Sequence, residues 1–455
     1  MGAPSVNLKL IIAKLARNVD KGALRQSVLF YVPSIATTLF SFVLFATLRG
    51  SATGELNKIQ VAIMSSVILS LVLAAGIQFL TNTVVGEANS SEDKINQKPL
   101  ASGFTRLGIV ISIIVSVVIA GIVYPYFSLV LHFSGLYFSF FVILLIFYAV
   151  IWVLTVALWA SGRYIYPAIT FLLCYIVIFI LGDIGYHIGP VDFMVGYTAG
   201  VALLLSLLTV FSWSNFSGRE KPKSLWQTAR MLPDLISKNY WGILFQTFFI
   251  LAIFLDKIIV WISAGVKAGT GLLVMGPYST GSFLGLVPSF SLVVLAYFAE
   301  KVKPMSKNMW TGSLRNIRNN IQEYKRLYKR GLLTMVSSGF ILMVLVVGLS
   351  QIITGNVTVT VTALTIGMGV LLLEVILFNA FVLPVFRKSN VSAFSVIIIC
   401  LVEIAIGLLV PKNVWFASLG FLVGSFIGFL LSYFTIRRLL SEFDYNAFHA
   451  FQMNS

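Results

Sequence analysis

Charge is what this sequence has least of. Only 11% of its 455 residues are Asp, Glu, Lys or Arg, against roughly 25% in a soluble domain. That is too little to clothe a water-facing surface of this size. With 58% apolar residues, the chain must use lipid as solvent and satisfy its backbone internally. Cysteine is almost absent: Cys174 and Cys400 lie in apolar runs of different halves, which argues against a disulfide framework. The three histidines, His132, His187 and His449, show no metal-ligand spacing. No Gly-x-x-x-x-Gly-Lys-Ser/Thr loop occurs and no His-Glu-x-x-His, so no P-loop nucleotide site, zinc hydrolase or other cofactor is implied, and no enzyme motif stands out. A cleavable signal is not expected either. The first apolar stretch, Leu8 to Leu15, is short and interrupted by Lys9 and Lys14.

What the chain does have is long apolar runs without alternation, which read as membrane-crossing helices. The expected fold is an all-α polytopic membrane protein with spans at 27–48, 61–80, 105–131, 138–160, 164–182, 193–212, 240–264, 280–299, 331–354, 362–384, 391–410 and 413–436. Spans four and five form a hairpin at Ser161, Gly162 and Arg163, and the last two are joined at Pro411 and Lys412. A polar break splits the spans evenly. The expected units are therefore an amphipathic N-terminus (1–26), a six-helix bundle (27–212), a linker (213–239), a second six-helix bundle (240–436) and a tail (437–455). No internal repeat is visible in the sequence. The eighth span opens on Gly276-Pro-Tyr-Ser-Thr-Gly and contains Pro288, which predicts a bent or broken helix. Residues Ser224 to Asn239 read as an interfacial elbow helix.

Lysine and arginine are distributed unevenly. Alternate loops, with both termini, carry 27 of them, and the opposite loops carry Arg49, Lys58, Lys267 and Lys412. By the positive-inside rule both termini are cytoplasmic, and the net charge of +16 reflects topology rather than nucleic-acid binding. The loop after span eight carries a basic stretch, Leu314 to Arg330, with Ile317, Ile321, Tyr324 and Tyr328 on one stripe. It reads as an amphipathic helix on an anionic membrane face or against a partner. Arg163 and Arg387 read as boundary anchors.

Charges inside spans are costly in lipid and so mark interior or cavity positions. They are Asp256 and Lys257 in span seven, Glu374 in span ten and Glu403 in span eleven. Asp256 falls in the outer half of its span. Glu374 and Glu403 each fall near the midplane by their distance from a span end, so they are expected to form a second polar site together. Asp256 and Lys257 are adjacent and point ~100° apart on a helix, so each is expected to bond to a neighbouring helix. Trp152, Trp159, Tyr164 and Tyr166 are candidates for stacking on sugar faces, although Tyr and Trp at span ends more often form the interfacial belt.

Several segments resemble one family. The opening Asn7-Leu-Lys-Leu-Ile-Ile-Ala-Lys-Leu-Ala-Arg17 is similar to a basic leading helix, and Leu255-Asp-Lys-Ile-Ile-Val-Trp261 to an Asp-Lys-x-x-x-Trp element in the seventh span. Phe283-Leu-Gly-Leu-Val-Pro-Ser289 with Ala296-Tyr-Phe-Ala-Glu300, and the tail Arg438 to Phe448, match the eighth span and closing segment of the same proteins. Together they resemble the PelG-like exopolysaccharide exporters of the MOP superfamily. The opening lacks that family's Gly-Phe-Glu-Leu block, and the stretch after Glu300 is Lys-rich rather than acidic. The resemblance implies two bundles around a central cavity and movement of a growing or lipid-linked glycan out of the cytoplasm across the inner membrane. It also implies partners: a cytoplasmic glycosyltransferase and small membrane subunits of a synthase complex. Two other transport classes stay open, a lipid-linked oligosaccharide flippase and a cation-coupled multidrug exporter, and so does a membrane scaffold or enzyme. A pyrophosphate-handling flippase would favour a cationic cavity, and one lysine against three carboxylates within spans weighs mildly against it.

Overall fold

The computed structural model describes residues 28–29, 32–33, 36–37, 54–90, 94–216, 224–268, 276–295, 297–298, 314–383, 388–410 and 413–442. Among these residues there is no strand, and eleven helices are long and apolar enough to cross a membrane. The first expected span, 27–48, lies almost wholly outside the described residues, as do the N-terminal lead and most of the tail.

The helices are α1 (Gly54–Ser90), α2 (Lys94–Pro125), α3 (Gly135–Ala160), α4 (Ile165–Ile188), α5 (Pro190–Phe216), a short α6 (Leu225–Ala229), α7 (Leu232–Ala268), α8 (Pro277–Leu284), α9 (Leu314–Thr354), α10 (Val357–Val382), α11 (Ser389–Gly407) and α12 (Trp415–Ser441). Five pairings build the first bundle: α1 with α2, α1 with α3, α2 with α3, α3 with α5, and α4 with α5. Moving six spans along the chain reproduces all five, as α8 with α9, α8 with α10, α9 with α10, α10 with α12, and α11 with α12. The repeat absent from the sequence is thus present in the packing. The closing hairpin of each bundle is drawn tight at a glycine. A Cβ at Gly196 would stand 2.3 Å from the Leu181 carbonyl oxygen, and one at Gly424 would stand 2.9 Å from that of Ile399. Small residues let helix backbones approach this closely in a membrane, where packing rather than the hydrophobic effect drives association. The bundles meet where α1 packs on α7, with Leu80, Val84 and Phe104 against Leu232, Leu235 and Ile243.

Several helices differ from their expected limits. The elbow is only α6, closed by a capping box between Ser224 and Gln227, and α7 has already begun at Leu232. Helices α4 and α5 run through the expected loop at 183–192 and turn at Gly189. Most important, the basic stretch Leu314 to Arg330 is no separate surface helix. It is the first part of α9, a single helix of 41 residues, or ~61 Å, twice a ~30 Å hydrocarbon core. The reason lies in its apolar stripe. Tyr324 and Tyr328 are buried in the second bundle, Tyr328 against Phe378 at 5.4 Å with its hydroxyl donating to Asn379 Oδ1 at 2.6 Å. These two residues of the stripe are thus engaged inside the protein rather than on a membrane face. The expected break in span eight is present: α8 ends at Leu284 and a 3-10 helix, Val287–Leu292, follows.

Candidate functional site

The buried charges gather in the second bundle. Asp256 and Lys257 sit on α7 at 1% and 0% exposure, and Glu403 on α11 at 1%. An unpaired charge in such a place is strongly destabilising, so the surrounding donors matter. Lys257 Nζ donates to Asp256 Oδ1 at 3.0 Å and to the Ile253 carbonyl at 2.9 Å. The ammonium also lies 5.7 Å from the ring centres of Phe254 and Phe283, within cation–π range. The expectation that these neighbours bond away from each other is corrected: their Cβ atoms diverge, but the four-carbon lysine stem curls back over the preceding turn, as helical side chains tend to do.

Asp256 draws its other donors from the broken span. Its Oδ2 accepts from Tyr278 OH at 2.9 Å and Ser282 Oγ at 2.8 Å, both on α8. Nearby, Trp261 Nε1 donates to Ser279 Oγ at 2.9 Å, tying α7 to α8 a second time. The Gly-Pro-Tyr-Ser-Thr-Gly run therefore supplies the partners of Asp256. Sequence reading took it only as a bend, although its hydroxyls in an apolar context were the available signal.

Glu403 belongs to the same cluster. It interacts electrostatically with both Asp256 and Lys257, yet neither of its carboxylate oxygens has a hydrogen-bond partner. Helices α7 and α11 pack side by side, with Gly407 against Ile259. Because α11 starts at Ser389 and ends at Gly407, Glu403 lies towards the far end of its helix, level with Asp256. Glu374 stands apart from both. It is buried on α10, accepts from Ser291 Oγ of the 3-10 helix at 2.6 Å and leaves Oε1 unpartnered. The expected Glu374–Glu403 site is thus replaced by two separate ones. A third polar link follows five residues along α10, where Asn379 Nδ2 donates to Ser432 Oγ of α12 at 2.8 Å while its Oδ1 accepts from Tyr328.

The aromatic candidates are engaged within the first bundle. Trp152 is buried against Phe171 at 5.8 Å, and Tyr166 stacks on Phe211 at 4.8 Å. Trp159 and Tyr164 are half-buried beside the α3–α4 turn. No cluster of histidine, cysteine or acid side chains among the described residues could hold a metal ion.

Residues 27–448 match the family model PelG, an exopolysaccharide exporter (EPS-E). The chain belongs to the PelG family. No curated protein matches it. Its fold is similar to that of solved MOP superfamily transporters. An outward-facing multidrug resistance MATE family transporter gives a TM-score of 0.62 at 14% identity, over 92% of this chain and 95% of that one. A MOP superfamily transporter from Pyrococcus furiosus gives 0.60 at 14% identity, over 92% and 96%. The Vibrio cholerae MATE transporter VcmN gives 0.60 at 15% identity, over 92% and 98%. At such identities the likeness concerns the fold. The PelG assignment and the fold together make this a multi-pass membrane exporter of exopolysaccharide.

A carboxylate held by two hydroxyls and an ammonium can trade those donors for others, such as sugar hydroxyls or amino groups, at little net cost in hydrogen bonds.

Proposed function

We propose that this chain carries a growing or lipid-linked exopolysaccharide from the cytoplasm across the inner membrane, with both termini on the cytoplasmic side, and that it has no catalytic activity of its own. Asp256 lines the path and binds glycan hydroxyl or amino groups in exchange for Tyr278 and Ser282. A cytoplasmic glycosyltransferase and small membrane subunits supply the polymer. The observation that supports this reading is the family match over 27–448, together with the buried cluster in which Asp256 pairs with Lys257 and accepts from Tyr278 and Ser282. Purely structural ion pairs of this kind are often replaceable by apolar residues without loss.

Asp256→Asn tests it. Polymer exported by cells carrying the variant is measured together with protein abundance in the membrane. Loss of export at normal abundance is expected. Normal export at normal abundance would remove Asp256 from the path, and loss of the protein itself would make the cluster structural. Cysteine labelling checks the orientation: a single Cys at position 326 is expected to react with impermeant reagent only after the cells are opened.

A further inference from the structure

At one end of the first bundle, four segments converge around a depression of about 330 Å³: the last turn of α1, the start of α2, the α3–α4 turn and the end of α5. Its floor is apolar, made by Val85, Ala88 and Ala101, with Phe216 packed against them. Its rim among the described residues is polar: Asn89, Ser161, Arg163 and Asn215. The turn can be this tight because Gly162 takes φ +76°, a left-handed value. Arg163 is exposed, but its guanidinium is not loose. Nε donates to Asn215 Oδ1 at 3.3 Å, which orients the planar fork and leaves its terminal nitrogens unused. A residue that served only to anchor a span end would need neither the orientation nor the depression.

We propose that this depression is a headgroup site for an anionic phospholipid, in which Arg163 binds the lipid phosphate. Guanidinium donors match phosphate oxygens in pairs, and the carboxamides of Asn89 and Asn215 can donate beside them. The apolar floor argues for a lipid over free phosphate, because only a lipid brings a glycerol backbone and acyl chains to cover it. The depth agrees. At the same end Arg106 lies 5.5 Å over the ring of the exposed Trp213, and Trp159 and Tyr164 flank the turn, as aromatic side chains do at headgroup level. This is also the basic side of the protein, where anionic lipids concentrate. The site stands independently of how the glycan is carried.

The test uses full-length protein purified in neutral detergent and native mass spectrometry. Three probes are titrated: phosphatidylglycerol, diacylglycerol without phosphate, and glycerol phosphate without chains. Phosphatidylglycerol is expected to bind at least one site that Arg163→Gln weakens about tenfold, the loss of one charge-assisted contact. Arg163→Lys should restore part of the binding. Thermal unfolding of each delipidated variant checks that it is folded. If Arg163→Gln does not fold, Asn89→Ala combined with Asn215→Ala is measured instead and is expected to weaken binding about threefold. Equal phosphatidylglycerol binding by wild type and a folded variant overturns the site. Equal binding of diacylglycerol overturns the role of the phosphate. Competition by glycerol phosphate at the same concentration as the lipid overturns a lipid as its occupant.

Discussion

The two bundles share one set of helix pairings but fill their interiors with different chemistry. In the first, the buried polar groups among the described residues are neutral. Tyr148 and Tyr197 share a hydrogen bond of 2.6 Å between hydroxyls, and Tyr175 donates to Thr37 Oγ1 at 2.9 Å. In the second, the matching region holds Asp256, Lys257, Glu374 and Glu403, which are all the buried Asp, Glu, Lys and Arg side chains among the described residues. Even the helices correspond. Thr37 and Tyr175 join spans one and five, and Asp256 and Glu403 lie on spans seven and eleven. One architecture has thus been used once with a neutral interior and once with a charged one. Neutral hydroxyl pairs hold helices together without charge, whereas the second interior holds a buried ion pair with an unpartnered carboxylate near it.

The sharpest way to break this contrast is to remove the counter-charge. Lys257→Met leaves Asp256 buried without its ammonium and should cost about 3–5 kcal/mol, read as a fall in membrane abundance and in detergent melting temperature. Combining it with Asp256→Asn should recover abundance but not export. Recovery of both would make the second bundle as inert as the first. Next comes Glu403→Gln, nearly the same in shape and unable to ionise. Because no donor is lost, the protein should keep its abundance while export falls about tenfold, a change of ~1.4 kcal/mol; unchanged export would leave Glu403 as filling. In the first bundle, Tyr148→Phe should cost only ~0.6 kcal/mol, typical of one hydrogen bond between helices in a membrane, with export unaffected. A large export defect there would erase the distinction.

The smallest effect lies at the rim. Glu55, outside the span that begins at Lys58, accepts a hydrogen bond from Tyr137 OH, and that bond, with Lys58 beside it, holds its carboxyl below the usual value of 4.5. A lowered folded-state value means that the contact stabilises above the unfolded-state pKa and is lost as pH falls through the folded one. Tyr137→Phe should therefore narrow the gap in melting temperature between pH 7 and pH 4, slightly, because Glu55 is half exposed and screened.

Much of this was legible in the sequence, for physical reasons that also mark where reading stops. Apolar runs locate spans because lipid tolerates little else, and Gly276 with Pro288 located the break. Helix ends were less visible. Charged residues mark where a chain leaves lipid, not where it stops being helical, so α9 and α4 ran past their expected limits. Asp256 stood out because one charge in an apolar run is conspicuous. Its partners Tyr278 and Ser282 did not, since hydroxyls are common in such runs and only folding brings α8 onto α7. Glu403 was placed beside the wrong partner because counting residues from a span end gives depth but not facing, and a shift in where α11 begins moved it towards Asp256.

The unbroken course of α9 has a mechanical consequence. Tyr328 clamps it to α10 through Asn379, and Ser291 of the 3-10 helix and Glu374 meet beside its Gly339. The eight residues from Leu314 to Ile321 then extend the spanning part, which begins at Gln322, by roughly 12 Å as one rod. A stiff rod gripped near its middle is a lever: tilting the part in lipid swings the basic tip the opposite way, with an amplitude that grows with distance from the grip. Tilting of the part packed in the second bundle would thereby be carried to the end of the rod beyond Tyr328, towards Leu314, with no break in the helix between them.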